Sequence, residues 1–251
     1  LFLHGWGVDS RIWRQQSKYF SLKYQVITLD LPGHGQSSWQ ECSLLDIAKG
    51  GWEVLEQLGL ESVRIAGSSL GGLVGLKMFE VNPSRVNTLS FIGSQPKFVQ
   101  SEQHPYGLPL KQIQRLGQQL ETDYPSIIHI FFRSLFTIDE RKTRRFKWIQ
   151  KFRNIEEIPT REALSGLLAI LGEADLREVL RGVDIPVQFI NGTEDMICPP
   201  ALFDSFKESL PQARFDWFEK CGHFPFLTKP HEVNHVLEKF LVSTEAEKEK
   251  C

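Results

Sequence analysis

A candidate nucleophile stands in residues 67–72, whose sequence Gly-Ser-Ser-Leu-Gly-Gly contains Gly-x-Ser-x-Gly with Ser69 at its centre. The pattern predicts an apolar strand over 63–66 and an apolar helix over 70–79. A chain that turns sharply from strand to helix needs glycines where side chains would clash, and it exposes the serine at the sheet edge. The N-terminus of the helix would favour developing negative charge there. The plain alternative is a Gly/Ser turn, so the assignment depends on partners elsewhere.

A serine hydroxyl needs a histidine base, and that base needs an acid that fixes its tautomer. Asp195 directly follows a predicted strand over 187–190, and His223 follows another over 214–218. Because parallel strands place their carboxyl ends at one sheet edge, both side chains are expected beside Ser69, in the order Ser, Asp, His. Rival side chains lie close by in the sequence: Glu194 as the acid, and His231 or His235 as the base.

Acyl transfer also needs N–H donors for the oxyanion. The backbone N–H of Leu70 follows the nucleophile, and Trp6, in the loop His-Gly-Trp-Gly at 4–7, offers a second after a predicted strand. A loop with a partly buried tryptophan is the plain alternative for this segment. Residues 30–37 predict a rigid turn after another strand, in which His34 has a structural role.

Composition excludes several classes of protein. The 251 residues carry a formal charge of −2, from 29 basic and 31 acidic side chains, so nothing attracts nucleic acid or an anionic membrane globally. No apolar stretch approaches the roughly 20 residues that span a bilayer. The chain begins without methionine, inside a predicted strand, so an upstream segment is expected and could carry a targeting signal. The expected protein is a cytoplasmic monomer.

The four cysteines of the chain lack Cys-x-x-Cys spacing and suggest neither zinc nor a disulfide framework: Cys42, Cys198, Cys221 and Cys251.

Alternating strands and helices predict an α/β fold with a mostly parallel sheet covered on both faces. Little strand signal occurs over 95–180, which predicts a helical lid insertion in a core formed by 1–94 and 181–242, followed by a polar, frayed tail at 243–251. The strands are expected at 1–3, 25–29, 63–66, 88–92, 187–190 and 214–218. The core helices are expected at 44–58, 70–79 and 232–241.

These motifs resemble the α/β-hydrolase superfamily over essentially the whole chain. The likeness rests on His-Gly-Trp-Gly at 4–7, Asp-x-x-Gly-x-Gly-x-Ser at 30–37, Gly-x-Ser-x-Gly-Gly at 67–72, the Asp195 loop and Gly-His-x-Pro-Phe at 222–226. The resemblance implies the fold with N-terminal strands missing, a Ser-His-Asp triad, and neither cofactor nor metal.

Within the superfamily the chain most resembles the pimeloyl-acyl-carrier-protein methyl ester esterases of biotin synthesis. That likeness rests on residues 3–7, 12–14, 69–74, 94–98, 118–120 and 223–226. It implies hydrolysis of a methyl ester whose acyl chain is borne by an acyl-carrier protein. Other small-ester hydrolysis, carbon-carbon bond hydrolysis or lyase chemistry, and a non-catalytic binding role stay as alternatives.

The same resemblance implies a substrate pocket and two departures from the family. Ser68 stands where tryptophan is usual, which would widen the pocket, and the lid arginines of the family are replaced by Ser126, Ile130, Thr143 and Lys147. The implied substrate-binding residues are Trp6, Ser69, Leu70, Phe131, Phe132, Arg133, Ser134, Leu135 and His223.

A basic run occupies residues 141–153, which contain seven cations and no acid. The apolar residues Phe146, Ile149 and Phe152 are spaced three residues apart. A helix could therefore bury this apolar face and present its cations to water. Local basicity on an otherwise acidic chain suits docking of an acidic carrier domain, although a merely solvated helix face is the plain alternative. The cations of the run are Arg141, Lys142, Arg144, Arg145, Lys147, Lys151 and Arg153. The expected docking residues among them are Arg141, Arg144, Arg145, Lys147 and Lys151.

Overall fold

Six parallel strands form one sheet in the computed structural model, which describes residues 1–152 and 158–248. Their order across the sheet is β2-β1-β3-β4-β5-β6, and every neighbouring pair is parallel. All six predicted strands are present, so the α/β prediction is confirmed. The strands are β1 Phe2–Leu3, β2 Thr28–Leu29, β3 Val63–Ser68, β4 Val86–Ile92, β5 Val187–Gly192 and β6 Arg214–Phe218.

Helices cover both faces of the sheet, because successive strand residues point to opposite sides. On β4, Phe91 joins one buried cluster and Ile92 joins a second, and on β5 Phe189 and Ile190 divide in the same way. The helices are α1 Arg14–Phe20, α2 Leu44–Gln57, α3 Leu70–Val81, α4 Leu110–Asp123, α5 Ser126–Ser134, α6 Arg144–Phe152, α7 Arg161–Glu173, α8 Arg177–Arg181, α9 Pro200–Ser209, α10 Pro225–Thr228 and α11 Pro230–Lys248.

The C-terminal segment differs from its prediction. A frayed tail was expected from 243, yet α11 continues to Lys248. Thr244 is buried and its hydroxyl donates to the Leu241 carbonyl at 2.8 Å, while Glu245 pairs with Arg64 at 2.9 Å. Alanine, glutamate and lysine are strong helix formers, so the polar composition of this segment extends the helix. Residues 249–251 lie outside the described residues.

Helices α4 to α7 fall within the predicted lid at 95–180, and α8 begins within it and ends one residue beyond. The segment packs on the core through aromatic side chains, since Phe132 of α5 contacts Phe224 with ring centroids 5.8 Å apart. The Trp6 indole donates across the same boundary to the Leu164 carbonyl at 2.9 Å. That this segment is a lid inserted into the core stays a prediction. Across the described residues, each helix is too short or too polar to cross a membrane.

Candidate active site

Ser69 occupies a strained turn between β3 and α3. Its φ of 52° and ψ of −119° lie in a region that L residues rarely adopt. Gly67 permits the turn, because a Cβ there would lie 2.3 Å from the Gly71 carbonyl oxygen. The geometry is that of a nucleophile elbow, as the Gly-x-Ser-x-Gly run predicts.

Hydrogen bonds from the neighbouring strand end fix the backbone of Ser69. Its N–H donates to the Ile92 carbonyl at 3.1 Å. Its carbonyl accepts from the Ser94 hydroxyl at 2.6 Å and from the Gly72 N–H at 3.0 Å. The strained conformation is therefore held by the surrounding structure from both sides.

Asp195 and His223 form a buried hydrogen-bonded pair. The distance between His223 Nδ1 and Asp195 Oδ2 is 2.8 Å, and each residue is 2% exposed. The other carboxylate oxygen, Oδ1, accepts from the backbone N–H groups of Ile197 at 2.8 Å and Cys198 at 3.1 Å. Because Nδ1 donates to the carboxylate, Nε2 of the imidazole is left as a proton acceptor. This is the tautomer that a general base needs.

One cavity joins the three predicted catalytic side chains. Ser69, Asp195 and His223 all line a cavity of about 1150 Å³, whose other walls are mainly apolar. Among its described lining residues, Arg141 supplies the only lysine or arginine side chain. Ile130, Ile138 and Met196 are also among the lining residues and are 63%, 66% and 81% exposed. The cavity therefore opens to solvent beside apolar side chains and suits an extended, largely apolar acyl group.

The rival residues lie in less suitable places. His231 and His235 are exposed on α11 and are not among the residues lining the cavity. Glu194 reaches the cavity but is exposed, and its backbone N–H donates to the Cys221 carbonyl at 2.9 Å. The structure thus brings Asp195, and not Glu194, into hydrogen-bond contact with His223.

The first loop lies against the nucleophile, as an oxyanion site requires. A Cβ added to Gly5 would be 3.1 Å from Ser69 Cβ and 3.8 Å from Ser69 Oγ. Leu70 is the first residue of α3, so its N–H has no acceptor within the helix. Trp6 is buried and its ring meets that of Phe131 edge-on, with centroids 5.0 Å apart. The donor roles of the Trp6 and Leu70 amides stay predictions.

Two buried histidines hold this loop to the turn after β2. Nε2 of His4 accepts from the Leu31 N–H at 2.8 Å, and Nε2 of His34 accepts from the Gly7 N–H at 3.1 Å. Burial, together with a smaller effect of the nearby His4, lowers the pKa of His34 to about 3. Burial likewise lowers the pKa of His4. Both rings are therefore neutral at neutral pH, which leaves Nε2 free to accept.

The predicted pocket residues of the lid divide into two groups. Phe131, Ser134 and Leu135 line the cavity. Phe132 and Arg133 are not among its lining residues, so the cavity gives no support to their predicted role in substrate binding. Phe132 is buried between lid and core, and the Arg133 guanidinium lies over the Phe146 ring at 5.9 Å from its centroid. Because α5 is a helix, consecutive residues cannot all face one cavity.

The basic run also divides. Arg144, Lys147 and Lys151 are exposed on α6, and Arg141 is half-buried at the cavity. Arg145 is half-buried, donates through Nε to the Leu227 carbonyl at 2.7 Å and stacks on Trp148, which makes it a lid contact rather than a free docking cation. Burial lowers the pKa of Arg145. The remaining members of the run are Lys142, paired with Asp139 at 2.8 Å, and Arg153, which lies outside the described residues.

Ser68, beside the nucleophile, is fully buried and does not border the cavity. The widening of the pocket expected from serine at this position stays a prediction. Its hydroxyl is buried without a hydrogen-bond partner among the described residues. Nothing in the structure explains why serine stands at this position.

Sequence reasoning missed a glycine that touches the base. Gly93 follows β4 with a φ of +53°, and a Cβ there would lie 2.6 Å from the His223 carbonyl oxygen and 3.1 Å from Nδ1. Only glycine fits at that distance and in that conformation. The available signal was a glycine directly after a predicted strand, at the edge where the other site residues meet.

Cys198 lies close to the acid and base. Atoms of ligand type in Asp195, Cys198 and His223 are within 4.8 Å of one another. Burial raises the pKa of the Cys198 thiol well above its usual value, and the neighbouring Asp195 carboxylate raises it further. The thiol is therefore protonated, and His223 and Asp195 already bind each other, so this arrangement suits proton transfer better than metal binding.

The elbow, the buried acid–base pair and the parallel sheet define a hydrolase fold. A family model described as the alpha/beta hydrolase fold matches residues 1–230, and the chain belongs to that family. It is similar to a pimeloyl-[acyl-carrier protein] methyl ester esterase from Nitrosomonas europaea, with 32% identity over 92% of this chain and 91% of that protein. A protein of the same name from Aliivibrio fischeri is 28% identical over 96% of this chain and 92% of that protein.

A solved structure agrees with this placement. The structure of an esterase from Exiguobacterium antarcticum is similar with a TM-score of 0.87 and 25% identity, covering 95% of this chain and 90% of that one. Family and relatives together support an enzyme of the hydrolase class.

Proposed function

We propose that this protein is a serine carboxylesterase that hydrolyses the methyl ester of pimeloyl-acyl-carrier protein, a step of biotin synthesis, with Ser69, His223 and Asp195 as its triad. The observation that carries the proposal is that these three residues line one mainly apolar cavity of about 1150 Å³. Similarity to two proteins named for that reaction supports the choice of substrate.

The geometry supports a two-step acyl transfer. Ser69 Oγ attacks the ester carbonyl while His223 Nε2 takes its proton, and His223 then returns that proton to the departing methanol. Asp195 stabilises the imidazolium that forms in between. Water then attacks the acyl-serine, with His223 as base, and releases the free carboxylate and Ser69. The backbone N–H groups of Trp6 and Leu70 are the proposed donors to the oxyanion of both tetrahedral intermediates.

The walls of the cavity fit the proposed acyl chain. Apolar side chains such as Phe98, Ile113 and Leu168 line it, so methylene groups of a substrate would be removed from water there. A methyl ester enters such a site more easily than a carboxylate, because burying an unpaired charge is costly. The same preference favours release of the product carboxylate.

Arg141 and the exposed cations of α6 are the proposed contacts to the carrier protein. Arg141 lines the cavity, while Arg144, Lys147 and Lys151 are exposed on α6. These cations would attract an acidic carrier domain, and Arg141 would contact it at the cavity itself.

Hydrolysis of a small ester that is not bound to a carrier is the second candidate, favoured by the wide, solvent-open cavity and the similarity to the Exiguobacterium esterase. Comparing kcat/KM on carrier-linked pimeloyl methyl ester with that on the free monomethyl ester separates the two. The proposal predicts a clear preference for the carrier-linked ester and growth rescue of a biotin-requiring strain that lacks its own esterase. Equal kcat/KM values and no rescue would favour the second candidate.

A further inference from the structure

A buried carboxylate of the lid contacts the loop that carries the catalytic histidine. Glu140 is 7% exposed, and its Oε2 accepts from the Gly222 N–H at 3.1 Å. Gly222 directly precedes His223. The triad chemistry does not use Glu140, so its burial calls for another explanation, because a carboxylate is buried only at a cost unless it is well hydrogen-bonded.

The local role of Glu140 is helix capping. Its Oε2 also accepts from the Thr137 N–H at 2.8 Å, and its own N–H donates to the Thr137 hydroxyl at 3.0 Å. This reciprocal pair has the hydrogen-bond pattern of a capping box and leads into the short turn Glu140–Lys142. Capping boxes form readily at an exposed surface, so capping alone does not require the carboxylate to face the histidine loop.

Other lid contacts converge on the same loop. The His223 N–H donates to the Leu135 carbonyl at 2.9 Å. A Cβ added to Gly222 would lie 2.5 Å from that carbonyl oxygen, 3.1 Å from Glu140 Oε2 and 3.2 Å from Phe136 Cα. Lid residues 135–140 therefore enclose Gly222 so closely that only glycine fits.

From this convergence we infer that Glu140 is a positioning residue for the reaction. Its carboxylate fastens the backbone just before His223 to the lid, and so sets where the imidazole stands relative to Ser69. A charge-assisted hydrogen bond is stronger than a neutral one, which makes a carboxylate suitable for this task. The inference rests on the proposed triad. It adds that the lid, which shapes the substrate cavity, also holds the catalytic base.

The test measures turnover of a short free ester, so that carrier recognition does not enter. Glu140→Ala and Glu140→Asp remove or withdraw the acceptor from Gly222, whereas Glu140→Gln keeps an oxygen at the same reach. Asp139→Asn is the matched control, because it removes a neighbouring negative charge that is exposed and paired with Lys142. Endpoint labelling of Ser69 by a fluorophosphonate counts the active sites, so that kcat refers to folded, competent enzyme only.

Glu140→Ala and Glu140→Asp are expected to lower kcat per site by about tenfold to a hundredfold, since small displacements of catalytic groups have effects of that size. KM should stay within about twofold of the wild-type value. Glu140→Gln and Asp139→Asn should each retain most of the wild-type kcat. The inference would be overturned if Glu140→Ala kept a per-site kcat within about twofold of wild type. If the alanine variant does not fold, the same criterion applies to Glu140→Asp. His223→Ala runs in parallel: if it kept wild-type turnover, the triad itself would be wrong, which is a separate failure.

Discussion

Asp195 divides its carboxylate between the backbone and His223: Oδ1 accepts from the Ile197 and Cys198 N–H groups, and Oδ2 lies 2.8 Å from His223 Nδ1. In Asp195→Asn the carbonyl oxygen of the new amide would stay on the two backbone donors. Its NH₂ group would then face Nδ1 and force the imidazole proton onto Nε2, where it blocks general-base catalysis.

We therefore expect Asp195→Asn to fold normally and to lose about a thousandfold or more in kcat, a loss typical of triads with the wrong tautomer. Steady-state kinetics on a short ester, with thermal unfolding to verify folding, measures this. Glu194→Gln, one residue earlier on the loop, should change kcat by no more than about twofold. A larger loss in Glu194→Gln than in Asp195→Asn would reverse the choice of acid.

Gly93 is predicted to be intolerant of a side chain. In Gly93→Ala, the new Cβ would meet the His223 carbonyl at 2.6 Å from a backbone with φ +53°. We expect the free energy of unfolding to fall by about 1–3 kcal/mol or more, and kcat to fall with it, because the imidazole must move.

Denaturant unfolding and ester kinetics check the Gly93 prediction against Gly59→Ala. Gly59 shares the positive φ, at +69°, but a Cβ there meets nothing within 4 Å. Gly59→Ala should lower the free energy of unfolding by about 1 kcal/mol and leave kcat unchanged. Equal effects of the two substitutions on kcat would show that contact with His223 is unimportant.

The stability of the protein should depend on pH through His34. Burial lowers the pKa of His34 from 6.5 to about 3, so the folded state holds the ring neutral while the unfolded state protonates below 6.5. The stabilisation is thus complete above pH 6.5 and is lost progressively as the pH falls towards 3. The rate of loss approaches about 1.4 kcal/mol per pH unit for one group.

Urea unfolding at about pH 7.5 and about pH 5 tests the His34 prediction. Between these two pH values, the free energy of unfolding should fall by about 1–2 kcal/mol more in wild type than in His34→Gln. This difference does not depend on the absolute stability of the variant. His231→Gln, at an exposed position on α11, is the control and should follow wild type. If His34→Gln and wild type lost the same free energy, His34 would not be the neutral buried group described above.

Charge reversal on α6 should act on the carrier-linked substrate alone. For Arg144→Glu/Lys147→Glu we expect kcat/KM on the carrier-linked ester to fall by roughly tenfold, less at high salt, with the free ester unaffected. Lys49→Glu/Lys239→Glu makes the same change in net charge at exposed positions on α2 and α11. If kcat/KM on the carrier-linked ester fell equally in both double variants, overall charge, and not the surface of α6, would attract the carrier.

Much of the fold could be predicted from local patterns in the sequence. Short, largely apolar runs at β4 and β5 and the glycines around Ser69 indicate strands and a tight turn through local patterns that a single sequence records. Parallel strands then bring Asp195 and His223 to the same edge. The contact of Gly93 with His223 depends on how two strand-end loops pack together, and the contact of Glu140 with Gly222 depends on how the lid packs, so neither was predictable from the sequence.

The wrong or unsupported expectations have related causes. Phe132 and Arg133 were assigned as a block with Phe131, although helical geometry turns them away from the cavity. The polar residues after Val242 suggested fraying, yet the Arg64–Glu245 ion pair and the buried Thr244 continue the helix. Helical geometry thus accounts for the lid residues, and tertiary contacts account for the C-terminal segment.

The most direct measurement is a rapid-quench single turnover of wild-type enzyme with carrier-linked pimeloyl methyl ester, read by peptide mass spectrometry and by methanol release. The proposed mechanism predicts that the carrier-bound acyl group becomes esterified to Ser69 as methanol appears, and that Ser69→Ala shows neither the adduct nor the methanol. Methanol release by Ser69→Ala at the wild-type rate, or an adduct on another residue, would contradict it.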